Sequence, residues 1–288
     1  MSDKRINWIL LLGLAIIWGS SFFLIKKALI SLHPIQMACL RVSISGLVLL
    51  PFFLREFKKV EKKDLKYLIV VGLAGSAIPA ISYGFAQTHI PSSVAGMLNS
   101  LTPLFTLLIG ILFFAFKTHL RNIFGVAVGL VGAIFLVTQA SQGPVVTNAA
   151  YALLIAFASI CYATSGNVVA RYLSHLKSFT ISIISYGIFI PITLAILFTT
   201  DFIHRLQTEP QIIYSITAVT ILAVFGTALA SILYFTLVQR TTPLFASMVT
   251  YLIPVIAVIL GFFDGETLTV LHGIGLLMIF SGIYLSRF

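Results

Sequence analysis

Charge is what this sequence has least of. Only 9% of its 288 residues are Asp, Glu, Lys or Arg, against about 25% in an average soluble domain. That leaves too little polar residue to cover a water-facing surface. Alternating ten-residue segments are missing too, which excludes a membrane β-barrel. Cysteine is down to Cys39 and Cys161, both in apolar segments, and free buried thiols account for them better than a disulfide. No phosphate-binding loop, metal-ligand cluster or nucleophile–base arrangement occurs. An enzyme or an ATP-driven pump is therefore not indicated, and no cofactor or metal is implied.

What is present is apolar: 59% of the chain, with a mean hydropathy of +1.08. The apolar runs are about 20 residues long and unbroken, the length that spans a bilayer as helix. Ten spans are expected, at roughly 6–27, 34–54, 66–88, 92–115, 120–139, 148–170, 178–200, 211–238, 243–263 and 269–286. The first run is longer than a signal-peptide core and reads as an uncleaved span. The net charge of +10 is not a nucleic-acid footprint, because the basic residues sit at span ends rather than in a patch. They sort by side instead. Fourteen Lys and Arg fall on the side of the N-terminus, among them Lys4, Arg5 and the Arg55–Lys66 run. Three (Lys26, Lys27 and Arg205) fall on the other. The positive-inside rule then puts both termini in the cytoplasm.

One stretch occurs twice. Tyr83, Ala95, Met97, Leu101, Pro103 and Gly110 return 151 residues later as Tyr234, Ala246, Met248, Leu252, Pro254 and Gly261. After a one-residue slip, Gly125 and Gly132 return as Gly275 and Gly282. Five spans separate the copies. Five is odd, so the second copy enters the membrane from the opposite face. The expected fold is all-α integral membrane, ten transmembrane helices as two inverted five-helix repeats. The repeats are residues 1–139 (spans 1–5) and 148–288 (spans 6–10).

With that topology, several short motifs resemble the drug/metabolite transporter superfamily, in its ten-helix branch with two EamA-type repeats. They are Trp18-Gly19-Ser20-Ser21-Phe22, Arg41 between Leu40 and Val42, and the Ala95-to-Pro103 stretch. The paired glycines of spans 5 and 10 complete the set. The resemblance covers nearly the whole chain. It implies a central cavity lined by spans 1, 3, 4, 6, 8 and 9, with spans 5 and 10 outside it.

Polar and aromatic residues at midspan are the candidate cavity lining, because an amide facing lipid is unfavourable. They are Trp18 and Ser21, Tyr83 and Gln87, Asn99 and Ser100, Tyr162 and Asn167, Tyr234, Thr250 and Tyr251. Pro103 and Pro254 each remove a helical hydrogen bond and act as structural breaks beside them. Arg41 is the one charge placed firmly within a span. It reads either as a counter-charge for a substrate carboxylate or as a tie to a bent neighbour, and the resemblance favours the tie. The glycines of spans 5 and 10 read as close helix packing, in a monomer or as a homodimer contact.

No Asp, Glu or His lies in a membrane core, which disfavours carboxylate-based proton antiport and strongly cationic substrates. The expected function is secondary transport of a small neutral or zwitterionic solute, an amino acid or metabolite. Export across a bacterial inner membrane is the expected direction, by alternating access. Multidrug efflux and metabolite import on the same fold are the alternatives within transport. A lipid-acting membrane enzyme built on Asp264, Glu266 and His272 is the alternative from another class, and a non-transporting scaffold with a filled midplane is a third.

Overall fold

The computed structural model describes residues 3–140, 149–263 and 270–286. Helices follow one another along the chain. α1 is Asp3–Ala28, and α2 is Pro34–Leu49 prolonged by Leu50–Phe52 and Phe53–Phe57. α3 is Lys62–Gln87, and α4 is Ser92–Asn99 followed by Thr102–Phe114. α5 is Leu120–Ala140 and α6 is Ala149–Tyr172. α7 is Ser178–Thr199 and α8 is Ile212–Arg240. α9 is Pro243–Ser247 followed by Val249–Phe263, and α10 is Val270–Leu285. Among the described residues there is no strand. Seven helices, α1–α4 and α6–α8, are long and apolar enough to cross a membrane, and α5, α9 and α10 carry shorter apolar helices.

The helix starts are written in side chains. His33 caps α2, Pro34 opens it, and Gln36 Oε1 accepts the His33 N–H at 2.9 Å. Gln36 Nε2 also donates to Asp201 Oδ1 at 2.7 Å, tying this corner to the α7–α8 connection. Asp64 closes a capping box with Glu61 at the start of α3 and meets His175 Nε2 at 3.1 Å. Thr242 caps α9, with Pro243 at its first position.

The molecule turns large apolar side chains outward and encloses polar ones among its apolar core. Phe113 is 76% exposed and Ile213 78%, while Ser45 is fully buried and Arg41 only 7% exposed. Water would invert that pattern. A hydrocarbon solvent demands it, since polar groups must find partners within the protein. Cys39 and Cys161 are buried free thiols.

The packing maps onto itself when the first five helices are exchanged for the last five. α1 lies against α8 and α9, and α6 lies against α3 and α4. α2 lies against α3 and α8, and α7 against α8 and α3. The two inverted repeats are thus interleaved, each helix being supported by the other repeat. α2 with α7 and α5 with α10 are self-paired sets, and α5 and α10 share the most extensive interface. Their glycines face one another within the chain: a Cβ built on Gly282 would lie 2.6 Å from the Gly129 nitrogen, and one on Gly132 2.9 Å from the Ile279 nitrogen. Even a single methyl does not fit at such a crossing without displacing backbone.

Two further irregularities obey the same symmetry. α3 widens to a π-helix over Leu73–Ala77, and α8 over Leu222–Leu229. α4 is interrupted at Ser100–Leu101 and α9 at Met248. π-bulges and broken membrane helices both mark places where backbone is given up for a site.

Candidate functional site

These four irregularities converge on one cavity of about 80 Å³, enough for a few waters in this conformation. Of the expected lining, Trp18, Ser21, Tyr83, Asn99, Tyr162, Tyr234 and Thr250 border it. Arg41 borders it as well. Six polar or small positions that pattern alone did not single out join them: Tyr186, Thr227, Ser231, Ser247 and the π-bulge glycines Gly75 and Gly226. A tyrosine eight residues inside an apolar span was the signal for Tyr186. α2 and α7 therefore reach the cavity through Arg41 and Tyr186, in addition to the six helices the resemblance implied.

The lining is built in pairs. Trp18 of α1 stacks at a tilt against Tyr234 of α8, ring centroids 5.3 Å apart. Tyr162 of α6 faces Tyr83 of α3 in the matching way at 6.3 Å. Ser21 of α1 sits in the notch of Gly226, where a Cβ would lie 2.8 Å from its Oγ. Ser165 of α6 fills the notch of Gly75 likewise, at 2.6 Å. Glycine is required at both π-bulges because a serine from the opposite repeat occupies the space.

The symmetry breaks in the hydrogen bonding. On the α1–α8 side, Trp18 Nε1 donates to the Gly226 carbonyl at 3.0 Å and Ser21 Oγ to Ile17 O at 2.8 Å. On the α3–α6 side, Ser165 Oγ is buried without a partner, and Tyr83 OH faces Ser159 without closing a hydrogen bond. Arg41 lies between the two sides. Its Nε donates to Thr227 Oγ1 at 2.7 Å, and Thr227 Oγ1 in turn donates to Leu222 O across the π-turn at 3.2 Å. Tyr83, Tyr162 and Tyr186 all lie within electrostatic reach of its guanidinium.

Four expected lining residues lie elsewhere, each for a local reason. Pro254 lacks the N–H that would serve the Thr250 carbonyl, and Ser100 Oγ supplies a donor to it from α4 at 3.2 Å. Ser100 is therefore an inter-helix tie. Pro103 frees the Asn99 carbonyl in the same way, and Thr102 Oγ1 donates to it at 2.7 Å. Tyr251 is fully buried against α5, its OH donating to Val126 O at 2.8 Å. Gln87, one turn beyond Tyr83, accepts from Ser92 Oγ at 3.1 Å while its Nε2 is buried and unpaired. Asn167 donates to Thr106 O at 3.1 Å and borders a second cavity of about 350 Å³. That cavity lies toward the end of the bundle that carries Asn7 and Ser286, bounded by Lys117, Asn122 and Gln239. Asp264 and Glu266 and the His272 side chain lie outside the described residues.

The freed carbonyl makes a test. Ser100→Ala leaves the Thr250 carbonyl buried without its donor, and is expected to cost about 1–3 kcal/mol. Thermal unfolding of the purified protein reads this; an unchanged midpoint would show that the α4–α9 crossing does not depend on the tie.

The EamA-like transporter family matches residues 6–138 and again 149–288. The chain is 31% identical over 274 residues to an uncharacterized inner membrane transporter, YedA, of Escherichia coli (strain K12), covering 92% of this chain and 85% of that protein. It is 23% identical over 293 residues to a probable amino-acid metabolite efflux pump of the same organism, covering 99% and 96%. It is 28% identical over 186 residues to the aromatic amino acid exporter YddG of Salmonella typhimurium (strain 14028s), covering 59% and 63%. One solved crystal structure superposes with a TM-score of 0.69 at 17% identity, covering 97% of this chain and 96% of that one, which speaks for the fold alone.

Proposed function

The chain belongs to the EamA-like transporter family, and from that footing we propose that it is a secondary carrier exporting a small neutral or zwitterionic solute, an amino acid or related metabolite. The names of its relatives speak of transport and efflux rather than chemical turnover. The observation that carries the reading is the paired cavity: it lies between inverted repeats, bounded on both sides by a π-bulge and a broken helix. Such a site touches both halves, so a bound solute biases how they rock against each other.

The excess of Lys and Arg at the end carrying the termini assigns that end to the cytoplasm of a bacterial inner membrane. On that orientation the second cavity faces the cytoplasm. Among the described lining residues there is one cation, Arg41, and no carboxylate, which turns the site away from cationic drugs.

Counterflow in proteoliposomes tests the proposal. Preloaded amino acid should drive uptake of the labelled form, and a Trp18→Ala variant should lower that flux. Folded protein that moves no member of a panel of amino acids, sugars and nucleosides would rule the carrier reading out.

A further inference from the structure

A paired cavity that binds an unsymmetrical solute must be broken in symmetry, and where it breaks tells which end of the solute goes where. At the spacing that relates Trp18 to Tyr162 and Ser21 to Ser165, Arg41 corresponds to Ser185, which donates to Leu68 O at 3.1 Å. The guanidinium therefore appears once in the lining. At one pole, the α3–α6 side, Tyr83 OH lies within its electrostatic reach and stands with Ser165 Oγ: two hydroxyls that are nine-tenths or more buried, border the cavity and have no hydrogen-bond partner. Their counterparts at the other pole differ. Ser21 is satisfied by its own helix, and the space around it is filled by the rings of Trp18, Phe22, Tyr234 and Phe235.

We propose that the cavity is a carboxylate-recognition site: Arg41, Tyr83 and Ser165 hold the carboxylate of the solute, and Trp18 with Tyr234 holds its apolar side chain. This rests on the carrier reading and names its substrate class. The chemistry is complementary in three ways. All three polar groups can donate, and a carboxylate is an acceptor only. The guanidinium is fixed at Nε by Thr227 and has four further N–H donors beyond it. A buried cation with no carboxylate among the described lining residues is unfavourable until an anion neutralises it. One cation matches one negative charge, so a carboxylate fits better than a phosphate dianion. No acid is there to hold an ammonium. The amino group of an amino acid is therefore tolerated rather than required.

The experiment uses purified full-length protein and two sets of probes, read by thermal shift and by competition in counterflow. One set is L-phenylalanine, 3-phenylpropionate, which lacks the amine, and 2-phenylethylamine, which lacks the carboxylate. The other is L-leucine, 4-methylpentanoate and 3-methylbutylamine. The expected result is binding by both carboxylate-bearing members of a set. The amine should bind roughly 10- to 100-fold more weakly, the worth of a charge-assisted hydrogen-bond set. Arg41→Gln should erase that difference, and Arg41→Lys should restore part of it. If Arg41 variants do not fold, the ligand series on the unaltered protein decides alone. Amines that bind as well as the amino acids would overturn the carboxylate site and leave the carrier reading intact. Binding by none of the six probes would also overturn it, and the carrier reading would then stand or fall on the flux panel.

Discussion

Gly282→Leu is expected to force α5 and α10 apart and to cost about 3 kcal/mol, the upper range for overpacking a tight interface. The reason is that the contact is backbone on backbone. A Cβ at Gly282 would lie 2.6 Å from the Gly129 nitrogen and 2.7 Å from the Gly125 carbonyl oxygen. Neither can turn away as a flexible side chain could. Even Gly282→Ala should be severe. Gly13 is the control, since nothing lies within 4 Å of a Cβ built there. Gly13→Ala should be neutral or stabilising by up to about 1 kcal/mol, because alanine loses less entropy in a helix. Thermal unfolding in detergent and the folded yield on size exclusion read both. Equal midpoints for the two variants would show that the α5–α10 crossing is not the close contact described.

Gly226→Leu is expected to abolish flux. Gly226 sits at the π-bulge of α8 with its carbonyl held by Trp18 and its Cα against Ser21. A leucine there enters the cavity from the side that faces the aromatic pole. The smaller change separates cause from consequence. Gly226→Ala alone should cost about 1–3 kcal/mol and lower flux, because its methyl would meet Ser21 Oγ at 2.8 Å. Adding Ser21→Ala removes that oxygen, whose carbon stands off at 3.8 Å. The double variant should recover stability relative to Gly226→Ala, a coupling a mutant cycle measures directly. Additive losses would mean that the serine is not what the glycine makes room for.

Much of the architecture was legible because the bilayer leaves few choices. Length of apolar run places the helices, and an odd span count between two copies of a motif inverts them. Depth along a helix was legible to about a turn, and that margin separates Tyr83, which borders the cavity, from Gln87, which does not. Direction around a helix was less legible. Asn167 is only two residues from Ser165, yet that rotation turns it toward α4 and the second cavity. Ser100 and Tyr251 are aligned copies with different fates, one serving a carbonyl freed by proline and the other serving α5. The π-bulges left no periodic signal. Their glycines, Gly75 and Gly226, look like any membrane-helix glycine until the serine in each notch is seen. Arg41 was read as a tie or a counter-charge. Its bond to Thr227 supplies the tie, and its place in the lining is why the carboxylate is proposed.

The interleaving of the repeats also sets a schedule for synthesis. The acceptor for the Trp18 indole, the Gly226 carbonyl, is 208 residues downstream. At ribosomal speeds that is a wait of roughly 10–40 s. During it α1 is in the membrane without α8 and α9, and the Trp18 indole N–H has no acceptor from the second half. The first half of the chain therefore has no finished interior to fold around, and assembly is expected to be a late, collective event once the second half has inserted. The two halves made as separate polypeptides in one cell should accordingly rescue each other, and either made alone should be degraded.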